Sequence, residues 1–106
     1  MFTELDPLLH SQVRLAIMTL LFQVKSAEFS YLLDATKTTK GNLSFQLNKL
    51  AEGEYIDIKK TVKGNYPLTI CSITGKGIDA YERYVNAISE YFKASGIQTD
   101  PNYQQN

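Results

Sequence analysis

Thr39-Lys40-Gly41-Asn42-Leu43-Ser44-Phe45-Gln46-Leu47-Asn48-Lys49-Leu50, followed closely by Tyr55-Ile56-Asp57-Ile58-Lys59-Lys60-Thr61-Val62, is the stretch that decides the fold. The first part has helical period. Leu43, Leu47 and Leu50 recur at i, i+4 and i+7, placing one apolar stripe on one face. Thr39 supplies a capping hydroxyl, and Gly53 is expected to end the helix in a left-handed conformation. The second part alternates Ile56 and Ile58 against Asp57 and Lys59, as a half-buried strand does. A turn over Lys63-Gly64-Asn65-Tyr66-Pro67 and a return strand from Leu68 to Ile73 complete a hairpin, with Cys71 and Ile73 read as its inward residues. A short helix beside a lysine-rich hairpin is suited to face a polyanion.

Working outward, Asp6-Pro7 reads as a helix start and Ser11 as a second possible cap, so the first turn can stand apart. Leu9, Val13, Ile17, Leu20 and Leu21 then form an amphipathic stripe ending near residues 23–25. Glu28-Phe29 reads as a very short strand, and Ser30 as the cap of a brief helix over residues 31–36. Beyond the hairpin, Thr74 caps a helix of some 20 residues, about 30 Å long. It carries Tyr81, Tyr84, Val85, Ile88, Tyr91 and Phe92, more aromatic surface than so small a domain can cover. Residues 95–106 read as a frayed tail. The organisation expected is one domain over 1–94 and a flexible tail over 95–106.

The chain has 106 residues, 43% of them hydrophobic, which suits one domain with one core. No apolar run approaches the roughly 18 residues of a membrane span, and the first residues lack a signal-peptide pattern. Eleven basic residues balance eleven acidic ones. The balance is uneven along the chain. Residues 37–76 hold seven lysines against three acids, a net +4, and the remainder holds four bases against eight acids, a net −4. A basic face can exist on a neutral protein.

The pattern gives an α+β fold, mainly helical: a winged helix-turn-helix with a two- to three-stranded antiparallel wing and a long C-terminal helix. Asp6-Pro7-Leu8-Leu9-His10-Ser11 with Val13-Arg14-Leu15-Ala16-Ile17 resembles the opening of small MarR/ArsR-like winged-helix transcriptional regulators. Gly41-Asn42-Leu43-Ser44, Leu47, Leu50 and Tyr55-Ile56 resemble their recognition helix and entry to the wing. Ile73-Thr74-Gly75-Lys76-Gly77 resembles the Leu-Thr-x-x-Gly junction after it. Family members usually carry Gly where this chain has Glu54, and a basic or small polar residue at Phe45. The resemblance implies a homodimer that binds double-stranded DNA and regulates transcription, and we read it more as a repressor than as an activator; the single Cys71 excludes an internal disulfide and fits a reducing cytoplasm. An unidentified small-molecule effector is an addition that larger relatives suggest.

The chemistry of such a helix assigns base reading to short polar side chains and phosphate contact to lysines. The candidate DNA-binding residues are Thr39, Lys40, Asn42, Ser44, Phe45, Asn48 and Lys49 on the helix, with Phe45 able to touch a thymine methyl. On the wing they are Lys59, Lys60, Lys63, Asn65 and Tyr66. The bland alternatives are a solvated helix face and lysines that protect a sheet edge. The candidate dimer interface is Leu8, Leu9, Tyr81, Tyr84, Val85, Ile88, Tyr91 and Phe92. Arg14 reads as a structural ion-pair partner, His10 as a satisfied helix-end histidine and Cys71 as a small core residue. One His and one Cys, far apart in the chain, offer neither a metal site nor a nucleophile–base pair, so no enzyme, metal or cofactor is expected. The alternative function is a winged-helix protein-interaction module that uses the Phe45 and Tyr66 surface without binding DNA.

Overall fold

The computed structural model describes residues 2–97; of the tail expected over 95–106, Ser95 still belongs to the last helix and Gly96 caps it, and the part beyond residue 97 lies outside the described residues. The elements are α1 (Gln12–Val24), β1 (Ser26–Glu28), α2 (Phe29–Thr36), α3 (Lys40–Glu52), β2 (Ile56–Lys63), β3 (Tyr66–Ile73) and α4 (Gly75–Ser95). The three strands form one antiparallel sheet in the order β1-β3-β2.

Hydrophobic period dictates the core. Ile17, Met18 and Leu21 of α1, Leu32 of α2, and Leu43, Leu47 and Leu50 of α3 are buried together with Ile56 and Cys71 of the sheet. Each fully buried side chain of this kind contributes about 1.5–3 kcal/mol. Cys71 faces inward and Ile73 packs against the core, as the strand phase read from the sequence requires. Burial pushes the Cys71 thiol up to about 11 from its ordinary 9.0.

Two threonines start the helices on either side of the hairpin. Thr39 Oγ1 accepts from the Asn42 backbone N–H at 3.1 Å, and Thr74 Oγ1 accepts from that of Gly77 at 3.0 Å. The Thr74 hydroxyl also donates to the Glu54 carbonyl at 2.7 Å, and the Thr74 N–H donates to the Tyr55 carbonyl at 3.1 Å. The entry to the hairpin and the start of α4 are therefore fastened together.

Several local expectations are corrected. β1 is Ser26–Glu28 and not Glu28-Phe29, with Ala27 opposite Cys71 on the inner face. The helix after it begins at Phe29 behind Glu28, with no side-chain cap, so Ser30 is inside the helix. The hairpin turn is Gly64-Asn65 alone, with φ +64° at Gly64, and Tyr66 and Pro67 belong to β3. Pro67 is tolerated because β1 stops opposite Ile70, leaving that edge of β3 open.

Gly53 is not the left-handed residue after α3. Its φ is −78°, and Glu54 takes the positive φ of 65° instead. A Cβ there would lie 2.4 Å from Leu8 Cδ2, so a side chain at this position would require the Leu8 methyl to shift. The glycine that family members carry at position 54 would suit the conformation that Glu54 adopts here.

The N-terminal segment is tied down by side chains. Asp6 accepts from the Leu8 N–H and from the Tyr55 hydroxyl. Burial, then this bond to Asp6, raises the Tyr55 phenol from 10.0 to about 12. His10 Nδ1 pairs with the Tyr84 hydroxyl at 2.9 Å, which satisfies the histidine as expected.

Candidate nucleic-acid interface

Helix α3 has three kinds of surface. Leu43, Leu47 and Leu50 face the core. The outer side exposes Lys40, Gly41, Ser44, Phe45, Asn48, Lys49 and Glu52. Between the two lies a polar seam that holds the helix against α1. Asn42 Nδ2 donates to Thr38 Oγ1 at 2.8 Å, and Asn42 Oδ1 accepts from Gln46 Nε2 at 3.1 Å. Gln46 Oε1 in turn accepts from Arg14 Nη1 at 2.5 Å, and Arg14 Nε donates to the Leu8 carbonyl at 2.6 Å.

This seam bears on two sequence-based expectations. Asn42 is half-buried, with one amide hydrogen and one carbonyl lone pair engaged inside the fold, so it helps to position the helix. Arg14 is structural as expected, but its partners are an amide and a carbonyl, not a carboxylate. A fixed guanidinium fork satisfies two acceptors at once, which suits it to this bridging position. The ion pair found among the described residues is Lys76–Glu54 at 3.9 Å, between exposed side chains, and such pairs contribute little.

The wing stands beside the outer side of α3. Ser44 and Asn48 form one lip of a crevice, Lys60 and Thr69 the other, and Leu47 and Ile58 lie between them. Lys60 and Thr69 are cross-strand partners. Strand alternation sends Lys59 and Lys63 to the opposite face of the hairpin, where Lys63 shares a shallow hollow with Tyr66 and Leu68. The wing lysines therefore do not form one patch. Asn65 and Tyr66 are exposed at the turn and its exit, with Tyr66 78% exposed. Thr69 was absent from the candidates. Once the turn is placed at Gly64-Asn65, counting back along the strands pairs it with Lys60.

The cap leaves the Lys40 and Gly41 N–H groups at the open end of α3, where a helix favours an anion. Lys49 Nζ lies 5.1 Å from the centre of the Phe45 ring, within cation–π range.

The candidate dimer residues divide. Leu9 is fully buried and Tyr84 is 6% exposed within the single chain, so neither can form a seam with a second molecule. Leu8 is partly buried against the core and packs at Gly53. On α4, Val85, Tyr91 and Phe92 are exposed, while Tyr81 and Ile88 are half-buried. Phe22 of α1 lies against Tyr81 with ring centroids 4.8 Å apart, and Phe2 stacks on Tyr91 at 4.6 Å. No helix among the described residues is long and apolar enough to cross a membrane.

A capped helix with one exposed face, packed beside a two-stranded wing and followed by a long helix, defines a winged helix-turn-helix protein. The chain belongs to the winged helix DNA-binding domain family, which matches residues 13–92. It is similar to an uncharacterized protein of Methanocaldococcus jannaschii, 37% identical over 84 residues that cover 79% of this chain and 91% of that protein. Among solved structures it superposes on a transcriptional regulator homologue from Pyrococcus horikoshii with a TM-score of 0.80, at 24% identity over 85% of this chain and 89% of that one. The YusO protein of Bacillus subtilis gives a TM-score of 0.66 at 13% identity over 91% of this chain and 64% of that one. The winged-helix fold read from the sequence is the fold of these solved structures, and the family is one of DNA-binding domains.

Proposed function

We propose that this protein is a sequence-specific transcriptional regulator that binds double-stranded DNA as a homodimer and represses by occlusion in the cytoplasm. The observation that carries the reading is the juxtaposition of the exposed Ser44–Phe45–Asn48 face of α3 with Lys60 and Thr69 of the wing. The helix enters the major groove. Ser44 and Asn48 reach base edges, and Lys40, Lys49 and Lys60 hold phosphates. Lys63, Asn65 and Tyr66 follow the backbone or enter the adjacent minor groove.

The dimer seam of the proposal is the exposed α4 face of Val85, Tyr91 and Phe92 with Tyr81, Ile88 and Phe22. A two-fold pair would present its α3 helices about 34–36 Å apart, matching one DNA turn and a pseudo-palindromic site. A small-molecule effector is a further part of the proposal, and ligand-dependent shifts in melting temperature test it.

The decisive test is a gel shift on random duplex across a salt series, joined to sedimentation. About six to ten phosphate contacts per dimer should lower affinity roughly 10³–10⁵-fold between about 50 and 200 mM salt. Lys60→Ala should weaken every sequence alike and flatten that slope. Absence of a shift at low salt would favour a protein-interaction module instead. A monomer at micromolar concentration, with and without DNA, would overturn the dimer.

A further inference from the structure

Gly41 has no task inside the fold. It is not among the residues with positive φ, and a Cβ built on it meets nothing within 4 Å. A helix is weakened by glycine relative to alanine, so the fold alone would favour a side chain there. One turn further on, on the same outer face, stands Phe45, 56% exposed. The aromatic ring pairs among the described residues do not include it. Its ring contact is with Lys49, whose ammonium is 5.1 Å from the ring centre. The arrangement is a bare backbone followed by an apolar knob that carries a positive charge beside it.

A phenyl ring has no donor or acceptor with which to read a base edge. In the major groove it can recognise the C5-methyl group of thymine, which is the apolar mark in that groove. We propose that Gly41 and Phe45 form a methyl-reading pair. Gly41 lets the helix backbone sit close to the DNA, Phe45 packs on a thymine methyl, and Lys49 directs its charge from the ring to a neighbouring phosphate. The proposal rests on α3 being the DNA-reading helix, and it adds Phe45 to Ser44 and Asn48 as a specificity-determining residue.

The test uses the full chain to select duplexes from a random pool. Each thymine of the selected site is then replaced singly by deoxyuridine, which removes the methyl and keeps every hydrogen-bonding edge. One thymine per half-site should show a loss of about fourfold, the value of one buried methyl-sized group. Phe45→Ala should abolish that difference while keeping the salt dependence. Gly41→Ala should bind the same site more weakly yet melt no lower than the parent, which a merely structural role would not produce. Selected sites indifferent to uracil, or equal sensitivity in Phe45→Ala, overturn the methyl reading and leave DNA binding standing. Failure to select any duplex overturns both readings together.

Discussion

Replacing Gly77 by alanine should destabilise the protein, although alanine is the better helix former. Gly77 is buried in the first turn of α4, and a Cβ there would lie 2.2 Å from the Tyr55 carbonyl oxygen and 3.0 Å from Ile73 Cγ1. Ordinary contact begins near 3.4 Å, so the carbonyl would have to retreat by about 1.2 Å. It cannot do so freely, because it accepts the Thr74 N–H at 3.1 Å. Overpacking typically costs about 1–3 kcal/mol, and the strained hydrogen bond adds about 1 kcal/mol. Helix propensity returns about 1 kcal/mol. The expected net loss is about 2 kcal/mol, which for a domain of this size lowers the melting temperature on the order of 10 °C. Gly75→Ala is the matched control, since a Cβ at Gly75 meets nothing within 4 Å. It should leave stability unchanged or raised. Urea unfolding followed by circular dichroism gives both values. If the two variants unfold within about 0.5 kcal/mol of each other, the packing of α4 on Tyr55 is wrong.

Two further outcomes are expected. Arg14→Ala removes the bonds to the Leu8 carbonyl and Gln46 together, and should lower stability by about 2 kcal/mol, the range for a charged donor; Arg14→Lys should recover part of it, and equal stability of all three proteins would remove Arg14 from the seam. Alkali should destabilise the fold, because folding favours the neutral forms of Cys71 and Tyr55. The stability they lend is complete below about pH 9 and is lost as pH rises, through about 11 for Cys71 and about 12 for Tyr55. Urea midpoints from pH 7 to 11 should fall above pH 9, less so in Cys71→Ala, and a flat profile would contradict the burial of both groups.

Much of the fold is legible along the chain because its causes are local. Thr39 and Thr74 announce their helices by their own hydroxyls, and Leu43, Leu47 and Leu50 need only the helical period. What was not legible depends on partners distant in sequence. Gly53 lies against Leu8, and Gln46, which bonds Asn42 one turn away, is held by Arg14 on another helix. Periodicity places Leu9 and Tyr84 on apolar faces but cannot say whether the same chain or a second one covers them. The opposite facing of Lys60 and Lys63 follows from strand alternation only after the turn is located.

The Thr74 hydroxyl has a mechanical consequence. One oxygen closes the first turn of α4 and grips the Glu54 carbonyl at the exit of α3. The start of α4 and the exit of α3 are thus joined through Thr74. If two copies pair through α4, any change in their pairing angle turns that lever and re-aims both reading helices together. The spacing of the two half-sites would then report the geometry of the pair. Thr74→Val keeps the branched shape and the backbone bond to Tyr55 while removing both hydroxyl bonds, and binding to sites of altered spacing should be the first property to loosen.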